Sequence, residues 1–287
     1  MKSIGTSSYR VTLSLQRCLI YVFMVFLTLL ALIPIYIMLV NATRSTEEIN
    51  AGISILPSGY LAHNWSALTR GWGIGQIARG FYNSAIIALS TTVLNVYFSA
   101  MTAYGLHVYR FRGRNILWAA ILIIIMLPAS LSFMGFFQLM ANMNLLDNFI
   151  PLIIPAIAGS GSVLFIRQYM ATITSETLIE AARIDGANEF YVFNKIMLPI
   201  LTPALAAQSI FTFVGSWNNF FAPFILISSR ELYTLPMLVQ MLRGDIFRTE
   251  FGGIYLGIAI SIVPIIIFYA FMSRFIISGL TLGGVKE

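Results

Sequence analysis

The stretch AAILIIIML, residues 119–127, decides the fold class of this chain. A half-buried strand alternates apolar and polar side chains, whereas this stretch is apolar on every side. A membrane β-barrel also needs alternation, over segments of about ten residues. Backbone amides in lipid must be paired within their own segment, which favours a helix. The stretch therefore predicts a membrane-spanning α-helix.

Working outward, the sequence contains six long windows without Asp, Glu, Lys or Arg. A helix needs roughly 20 apolar residues to cross about 30 Å of hydrocarbon, so each window predicts one span. The windows are residues 18–43, 80–109, 115–146, 148–166, 196–229 and 251–273. A seventh uncharged stretch, residues 49–69, contains Pro57, His63, Asn64 and two glycines, and we expect a loop there.

The composition supports an all-α integral membrane protein. Hydrophobic residues make up 58% of the 287 residues and charged residues only 10%, against about 25% charged in soluble proteins. A single cysteine, Cys18, excludes an internal disulfide framework and a cysteine-rich metal site. The net charge of +6 is divided among loops between apolar runs, which argues against a nucleic-acid surface.

The basic residues predict the orientation of the spans. With the N-terminus in the cytoplasm, eleven of the 17 Lys and Arg residues lie on the cytoplasmic side and six on the outer side. The short loop with Arg110, Arg112 and Arg114 is the sharpest marker of that side. Both termini are therefore expected in the cytoplasm.

The chemistry of the chain indicates a transporter without its own energy source. Ion-coupled transporters usually keep an ionisable residue inside the membrane, and none is evident near the middle of the six windows, since His107 lies at the predicted cytoplasmic end of the second. The chain also lacks a G-x-x-x-x-G-K-[ST] motif for binding nucleotide phosphates. No Ser/His/Asp, Cys/His or metal-spaced cluster predicts an enzyme.

The segment ATITSETLIEAARIDGANEFYVFNK, residues 171–195, differs from the rest of the chain because it is charged and helical in character. Thr177 and Glu180 fit a capping box at the start of a helix. Gly186 can end that helix with a positive φ. A second short helix is predicted from about Asn188, with Phe190 and Phe193 on one side.

Two interpretations of this segment remain open from its residues alone. It can be an amphipathic helix that lies on the membrane surface. It can also be a docking helix, in which Ala181 and Ala182 allow close approach of a partner while Glu180 and Asp185 make polar contacts.

Residues 180–187, EAARIDGA, resemble the EAA loop of binding-protein-dependent ABC importer permeases. The similarity continues into the carbohydrate branch of that family, and most of all into the smaller, maltose-permease-like partner. It is carried by Asn83-Ser84, Tyr104-Gly105, the RFRGR run at 110–114, Pro199, Pro203, the WNNF run at 217–220 and the GLTLGGVK run at 279–286. Two positions depart from the family pattern. Thr174-Ser175 stands where proline is frequent, and Asn219 where aspartate is frequent.

The resemblance implies the permease subunit of an ATP-driven importer in the inner (cytoplasmic) membrane of a bacterium or archaeon. The implied solute is a sugar or oligosaccharide delivered by an extracytoplasmic solute-binding protein. The implied partners are a second permease subunit and two ATPase subunits, which would bind the ATP and Mg²⁺; no cofactor is expected in this chain. The residues expected to couple to the ATPases are Glu180, Ala181, Ala182, Asp185, Gly186 and Ala187.

The resemblance also implies a domain plan, with the whole chain as one transmembrane domain. Its parts are the first span with an outer loop (1–80), a five-span core (81–276) that contains the coupling loop (171–195), and a cytoplasmic tail (277–287). The tail is expected to reach the ATPase interface, and the outer loop at 230–250 to contact the binding protein.

Aromatic and neutral hydrogen-bonding side chains within the spans are the candidates for a sugar path. These are Asn83, Asn95, Tyr97, Tyr104, Trp217, Asn218 and Asn219. Polar side chains in spans also hold helices together. The alternative functions are import of a non-sugar solute such as a polyamine, amino acid or phosphate, an ion-coupled secondary transporter or channel, and a membrane scaffold without transport.

Overall fold

A computed structural model describes residues 4–70, 73–174, 176–241 and 250–283. Within these ranges the chain is helical and contains no β-strand. The all-α prediction is therefore confirmed for the part of the chain that the structure describes.

Fifteen α-helices are described, with three short turns of other helical types between them. The helices before the predicted coupling loop are α1 (Ile4–Asn41), α2 (Thr46–Asn50), α3 (Leu61–Arg70), α4 (Gly73–Val108), α5 (Arg114–Met126), α6 (Ala129–Asn142), α7 (Ile150–Ile153) and α8 (Ser160–Ile173). The later helices are α9 (Glu176–Ile184), α10 (Glu189–Tyr191), α11 (Leu198–Ile200), α12 (Thr202–Trp217), α13 (Phe221–Leu226), α14 (Leu235–Met241) and α15 (Phe251–Gly283). The turns are a 3₁₀ turn at Ile154–Ala158, a π-turn at Val192–Met197 and a 3₁₀ turn at Arg230–Leu232.

Four of the described helices are long and apolar enough to cross a membrane. They are Gln16–Asn41, Gly73–Val108, Ile150–Ile173 and Phe251–Ile276. A fifth span results if Glu189–Ile200 and Thr202–Trp217, bent by 79° with respect to each other, are counted as one. A multi-pass membrane protein is thus supported, while the count of six spans and their orientation stay predictions.

The window that contains the AAILIIIML stretch is divided at Pro128. Helix α5 ends at Met126, and Leu127 is extended, with φ −77° and ψ 130°. The residue before a proline is disfavoured in the α conformation because the proline ring clashes with its backbone. At 1.5 Å per residue, α5 is about 20 Å long, which is too short to cross the membrane alone.

The loop predicted for residues 49–69 is wrong over its last part, because α3 begins at Leu61. Asn64, Ala67 and Leu68 form the buried face of this helix at helical spacing. The Asn64 amide donates to the backbone carbonyls of Ala42 and Arg44, at 2.9 Å each. A polar residue that indicated a loop in the sequence is therefore a buried anchor of a helix.

The chain divides into two compact units. One contains Met1–Gly71 and Leu242–Ile260, and the other contains Trp72–Met241 and Ser261–Glu287. In the first unit, the described side chains from residue 16 to residue 36 of α1 are all exposed. This apolar surface is suited to lipid or to a protein partner within the membrane. The three-part division at residues 80 and 276 stays a prediction.

The second unit is built around α4, which contacts α8 and α12. The buried cluster of this unit joins α4 and α8 to residues on both sides of Gly186. Its members are Ala100, Ala103, Tyr104, Leu106, Val163, Ile166, Met170, Ile179, Ala182, Val192, Phe193, Met197 and Leu201. The predicted coupling loop is therefore anchored in the same core as the long central helix.

Candidate functional site

Helix α9 presents two different faces, and together with residues 185–189 it forms what we term the coupling site. Ile179 and Ala182, three positions apart, are buried in the core cluster. Ala181 is exposed, and Ile184 is 86% exposed. The two alanines of the predicted motif thus have different surroundings, since Ala182 packs inside the protein and Ala181 faces outward.

The start of α9 differs from the sequence prediction. The helix begins at Glu176, so Thr177 lies inside its first turn and does not occupy the capping position. The predicted capping box at Thr177 and Glu180 is therefore wrong. Glu180 is exposed on the helix surface.

The end of α9 agrees with the prediction that Gly186 terminates the helix. Gly186 has φ +84°. The Gly186 amide donates to the Arg183 carbonyl, and the Ala187 amide donates to the Ala182 carbonyl, both at 3.0 Å. These two bonds form a Schellman motif, which satisfies carbonyls at the end of a helix. A Cβ atom at Gly186 would meet nothing within 4 Å. Glycine is therefore favoured here by its backbone angle and not by a lack of space.

The second short helix begins as predicted. The Asn188 side chain accepts a hydrogen bond of 2.8 Å from the Tyr191 amide and caps α10. Phe193 is buried, whereas Phe190 is 71% exposed. Their predicted placement on one side is therefore wrong. The backbone changes to a π-turn at Val192, so α-helical spacing does not hold across these two residues.

Glu189 connects the coupling site to the end of α4. Its carboxylate accepts hydrogen bonds from the Tyr104 hydroxyl at 3.1 Å, the Tyr109 hydroxyl at 2.5 Å and the Arg183 Nε at 2.7 Å. The Arg183 guanidinium also lies 5.8 Å from the centre of the Tyr109 ring. The bond to Glu189 raises the pKa of Arg183, so this pair stays ionised at neutral pH.

The sequence did not indicate Glu189 or Tyr109 as site residues. Glu189 is separated from the two tyrosines by 80 or more residues, so no local spacing could have signalled the cluster. Tyr104 was predicted for the solute path, and its hydroxyl instead binds Glu189.

An open cleft of about 510 Å³ lies between the end of α4 and α9. Its lining combines cationic and acidic side chains. The lining residues are His107, Val108, Tyr109, Arg110, Thr174, Ile179, Glu180 and Arg183. The coupling site therefore offers a concave surface as well as the exposed face of α9.

Asn83 and Asn95 make hydrogen bonds within the protein. Asn83 donates to the carbonyls of Glu231 and Tyr233 at 2.8 and 2.9 Å. Asn95 donates to the Ala156 carbonyl at 2.8 Å and accepts from the Ser162 hydroxyl at 2.6 Å. These bonds join α4 to the segments that surround it, which is a common use of polar side chains in membrane helices.

The other predicted path residues differ in burial and in their position along the helices. Tyr97 donates to Asn194 at 3.2 Å, and Trp217 is buried with its indole nitrogen 3.0 Å from the Ser261 carbonyl. Asn218 and Asn219 are exposed where α12 ends. Asn83 and Tyr104 lie about 30 Å apart along α4, at 1.5 Å per residue. The seven residues therefore do not form one compact cluster.

The remaining predicted regions are described in part. Of the outer loop at 230–250, residues 242–249 lie outside the described residues, as do residues 284–287 of the predicted tail. Residues 277–283 continue α15. No group of three or more His, Cys, Asp or Glu residues that could hold a metal is present in the described ranges.

Comparison with known proteins identifies a family for most of the chain. Residues 95–281 match the family described as binding-protein-dependent transport system inner membrane component. The arabinooligosaccharides transport system permease protein AraQ of Bacillus subtilis (strain 168) is 36% identical over 276 residues, which cover 95% of this chain and 97% of AraQ.

A more distant relative and a solved structure agree with this match. The sn-glycerol-3-phosphate transport system permease protein UgpE of Yersinia enterocolitica is 28% identical over 268 residues, covering 91% of this chain and 94% of UgpE. A chain in the crystal structure of a bacterial ABC transporter involved in the import of the acidic polysaccharide alginate has a TM-score of 0.73. It is 24% identical, with 96% of this chain and 98% of that chain covered, and it shows the similarity of the fold.

Proposed function

Because this chain belongs to the family of binding-protein-dependent transport system inner membrane components, we propose that it is one permease subunit of an ATP-driven sugar importer. Members of this family are transport components of the membrane and not enzymes. A sugar or oligosaccharide is favoured because the relative with 36% identity is an arabinooligosaccharide permease. A phosphorylated polyol is the second candidate, since UgpE at 28% identity is an sn-glycerol-3-phosphate permease.

The proposal assigns the energy source to partner subunits. Two ATPase subunits bind ATP and Mg²⁺, a second permease subunit completes the path, and an extracytoplasmic binding protein delivers the solute. In this arrangement the chain spans the inner membrane six times, with both termini and α9 in the cytoplasm. The basic loop with Arg110, Arg112 and Arg114 supports this orientation.

The observation that carries the proposal is the exposed face of α9. Leu178, Ala181 and Ile184 follow one another at three-residue spacing and are exposed, Ile184 by 86%, and an exposed apolar patch is typical of protein interfaces. Ala181, one turn before Ile184, leaves room beside it. We propose that one ATPase subunit binds this face, with Glu180 and Asp185 as polar contacts.

Two sets of contacts can transmit a movement of α9 to the membrane helices. Ile179 and Ala182 are packed in the core cluster of α4 and α8. Arg183 binds Glu189, which in turn holds Tyr104 and Tyr109. We propose that closure of the ATPases on ATP moves these elements together as a rigid body.

For the solute path, exposure favours two of the predicted residues. Asn218 and Asn219 have exposed side chains at the end of α12, and Asn219 accepts only a local bond from the Ala222 amide. Hydrogen bonds to other segments of the chain engage Asn83, Asn95, Tyr97, Tyr104 and Trp217. We propose direct solute contact for Asn218 and Asn219, with the other five holding the helices around the path.

Cysteine cross-linking in the complete importer tests the docking face. In a Cys18→Ser background, Ile184→Cys is expected to form a cross-link to an ATPase subunit with a short bifunctional thiol reagent. Ile116→Cys is the matched control, because Ile116 is an isoleucine that is 75% exposed on α5. Equal cross-linking of both variants, or none at Ile184→Cys, would contradict the proposed docking face.

A further inference from the structure

An apolar groove lies between α4 and α5. It has a volume of about 610 Å³ and extends from Thr102 and Gly105 on α4 to Ile124 on α5. Gly105 and Ala120 leave it hollow, because a Cβ atom at Gly105 would meet nothing within 4 Å. Its volume falls within the roughly 300–1,000 Å³ that is usual for small-molecule sites.

The groove runs along one side of α5. Leu117, Ile121 and Ile124 line it at helical spacing. From Leu117 to Ile124 the helix rises about 10 Å, about a third of the roughly 30 Å hydrocarbon core. This length accommodates part of one acyl chain.

One end of the groove is strongly cationic. Arg110 lines it, and Arg112 and Arg114 follow in the same short connection. The sequence contains no Asp or Glu from residue 49 to residue 146. Arg110 and Tyr109 line both this groove and the cleft of the coupling site, and Glu180 lines only the cleft.

A further guanidinium, from α8, lies beside the start of α5. Arg167 is held over the ring of Trp118, 3.9 Å from its centre, within electrostatic reach of Arg114. Its Nε atom is buried and makes no hydrogen bond to any residue that the structure describes. Like charges repel, so an anion at this end of α5 would stabilise the arrangement.

We infer that this groove binds one anionic phospholipid, with an acyl chain along α5 and the phosphate group against Arg110 and Arg114. Guanidinium groups bind phosphate through charge-assisted hydrogen bonds.

Native mass spectrometry of the complete importer in lipid nanodiscs tests the headgroup contact. The probes are palmitoyl-oleoyl phosphatidylglycerol, which is anionic, and palmitoyl-oleoyl phosphatidylcholine, which is zwitterionic. We expect tighter retention of phosphatidylglycerol in the wild type, and about tenfold weaker retention in the double variant Arg110→Ala/Arg114→Ala. The matched double variant Arg70→Ala/Arg79→Ala removes the same charge from α3 and the start of α4 and should retain the lipid.

The variant Gly105→Leu tests the acyl-chain contact, since its side chain fills the groove without meeting another protein atom near its Cβ. It should weaken retention of both lipids while the importer stays assembled. Unchanged phosphatidylglycerol binding in both groove variants would overturn the inference. Release of the second permease subunit by Gly105→Leu would also overturn it, because the groove would then be a protein interface. ATP-driven uptake by the wild type, measured in parallel, tests the proposed function separately.

Discussion

Gly186 is the residue whose backbone sets the shape of the coupling site. Its φ of +84° permits the two hydrogen bonds that close α9 and turn the chain toward Asn188. An L-residue with a β-branched side chain in this conformation costs roughly 1–2 kcal/mol. The position is open, so this cost comes from the backbone and not from a steric clash.

A pair of substitutions at Gly186 separates backbone strain from side-chain volume. Gly186→Val is expected to weaken co-purification of the ATPase subunits, because α9 can no longer end in its native geometry. Gly186→Asn should retain most of the binding, since asparagine tolerates a left-handed backbone better than other residues. Equal loss in both variants would indicate that the space at Gly186, and not its φ, matters for docking.

Glu189 is the residue that joins the coupling site to α4, and its substitution by glutamine should uncouple ATP hydrolysis from transport. Glu189→Gln keeps the size of the side chain but removes the charge that three donors bind. We expect ATPase docking to persist and solute uptake per ATP hydrolysed to decrease several-fold. Tyr109→Phe should have a smaller effect in the same direction, and Tyr191→Phe, an exposed tyrosine outside the cluster, should have none. A normal ratio of uptake to hydrolysis in Glu189→Gln would exclude this role.

At the scale of elements, α8 is held to α4 by a close approach at Gly159, the residue before its first turn. A Cβ atom at Gly159 would lie 2.1 Å from the Asn95 amide nitrogen. That amide cannot move away easily, because its nitrogen donates to the Ala156 carbonyl and its oxygen accepts from Ser162. The polar network of Asn95 therefore requires a glycine where α8 begins.

The glycine pair at the start of α8 provides a matched test of this packing. Gly159→Ala is expected to destabilise the protein by about 1–3 kcal/mol through overpacking. Gly161→Ala should be neutral or slightly stabilising, since a Cβ atom there meets nothing within 4 Å and alanine favours helix. Thermal unfolding of the detergent-solubilised complex measures both, and equal melting temperatures would contradict the described approach.

A second connection between elements joins Asp147 to Ser228 and Ser229 and depends on the ionised carboxylate of Asp147. Asp147 accepts hydrogen bonds from the Ser229 hydroxyl and from the amides of Ser229 and Ser228. These bonds, the hydroxyl first, hold the pKa of Asp147 below its ordinary value. The stabilisation is therefore complete above the unfolded pKa of about 3.9 and is lost as the pH falls through the lower folded value.

Hydrogen exchange at Ser228 and Ser229 tests this connection. After correction for intrinsic rates, protection should be equal at pH 7 and pH 5 and should decrease below about pH 3.9. Asp147→Asn should lose protection roughly tenfold at pH 7. Asparagine tolerates the φ of +57° at this position, so the substitution removes the charge without straining the backbone. Unchanged protection in this variant would argue against an ionic tether.

The elements that the sequence predicted well were those with a local signal. Gly186 and Asn188 mark the end of α9 and the start of α10 through their own backbone preferences. The cap at Thr177 failed because α9 already begins at Glu176, so Thr177 is a helical residue and not the one before the helix. Asn64 was misinterpreted because its amide is satisfied by carbonyls about 20 residues away, which no local pattern reveals.

The candidate site was predictable in position but not in its contacts. The motif at 180–187 located α9, but the division between buried Ala182 and exposed Ile184 depends on the packing of α9 against the core cluster. Glu189 could not be found in the sequence because its tyrosine partners come from the far end of α4. The period of a helix predicts two faces, and only tertiary contacts decide which of them is covered.

At the scale of the whole molecule, we propose that the chain is a permease whose movements are driven by partner proteins. Its family provides a transport component of the inner membrane, and its sequence contains no phosphate-binding loop. The candidate spans are apolar, and α9 packs through Ile179 and Ala182 into the core that surrounds α4, where we propose that a partner acts on it. Solute movement should consequently depend on ATP hydrolysis in the partner subunits.

Uptake by the reconstituted importer tests this dependence most directly. Proteoliposomes that contain both permease subunits and the ATPases are supplied with the binding protein and a radiolabelled sugar that this binding protein binds, with and without ionophores that abolish proton and sodium gradients. We predict accumulation that requires ATP and is unaffected by the ionophores. Accumulation driven by a proton or sodium gradient, in vesicles that contain this chain but neither the ATPases nor ATP, would contradict the account.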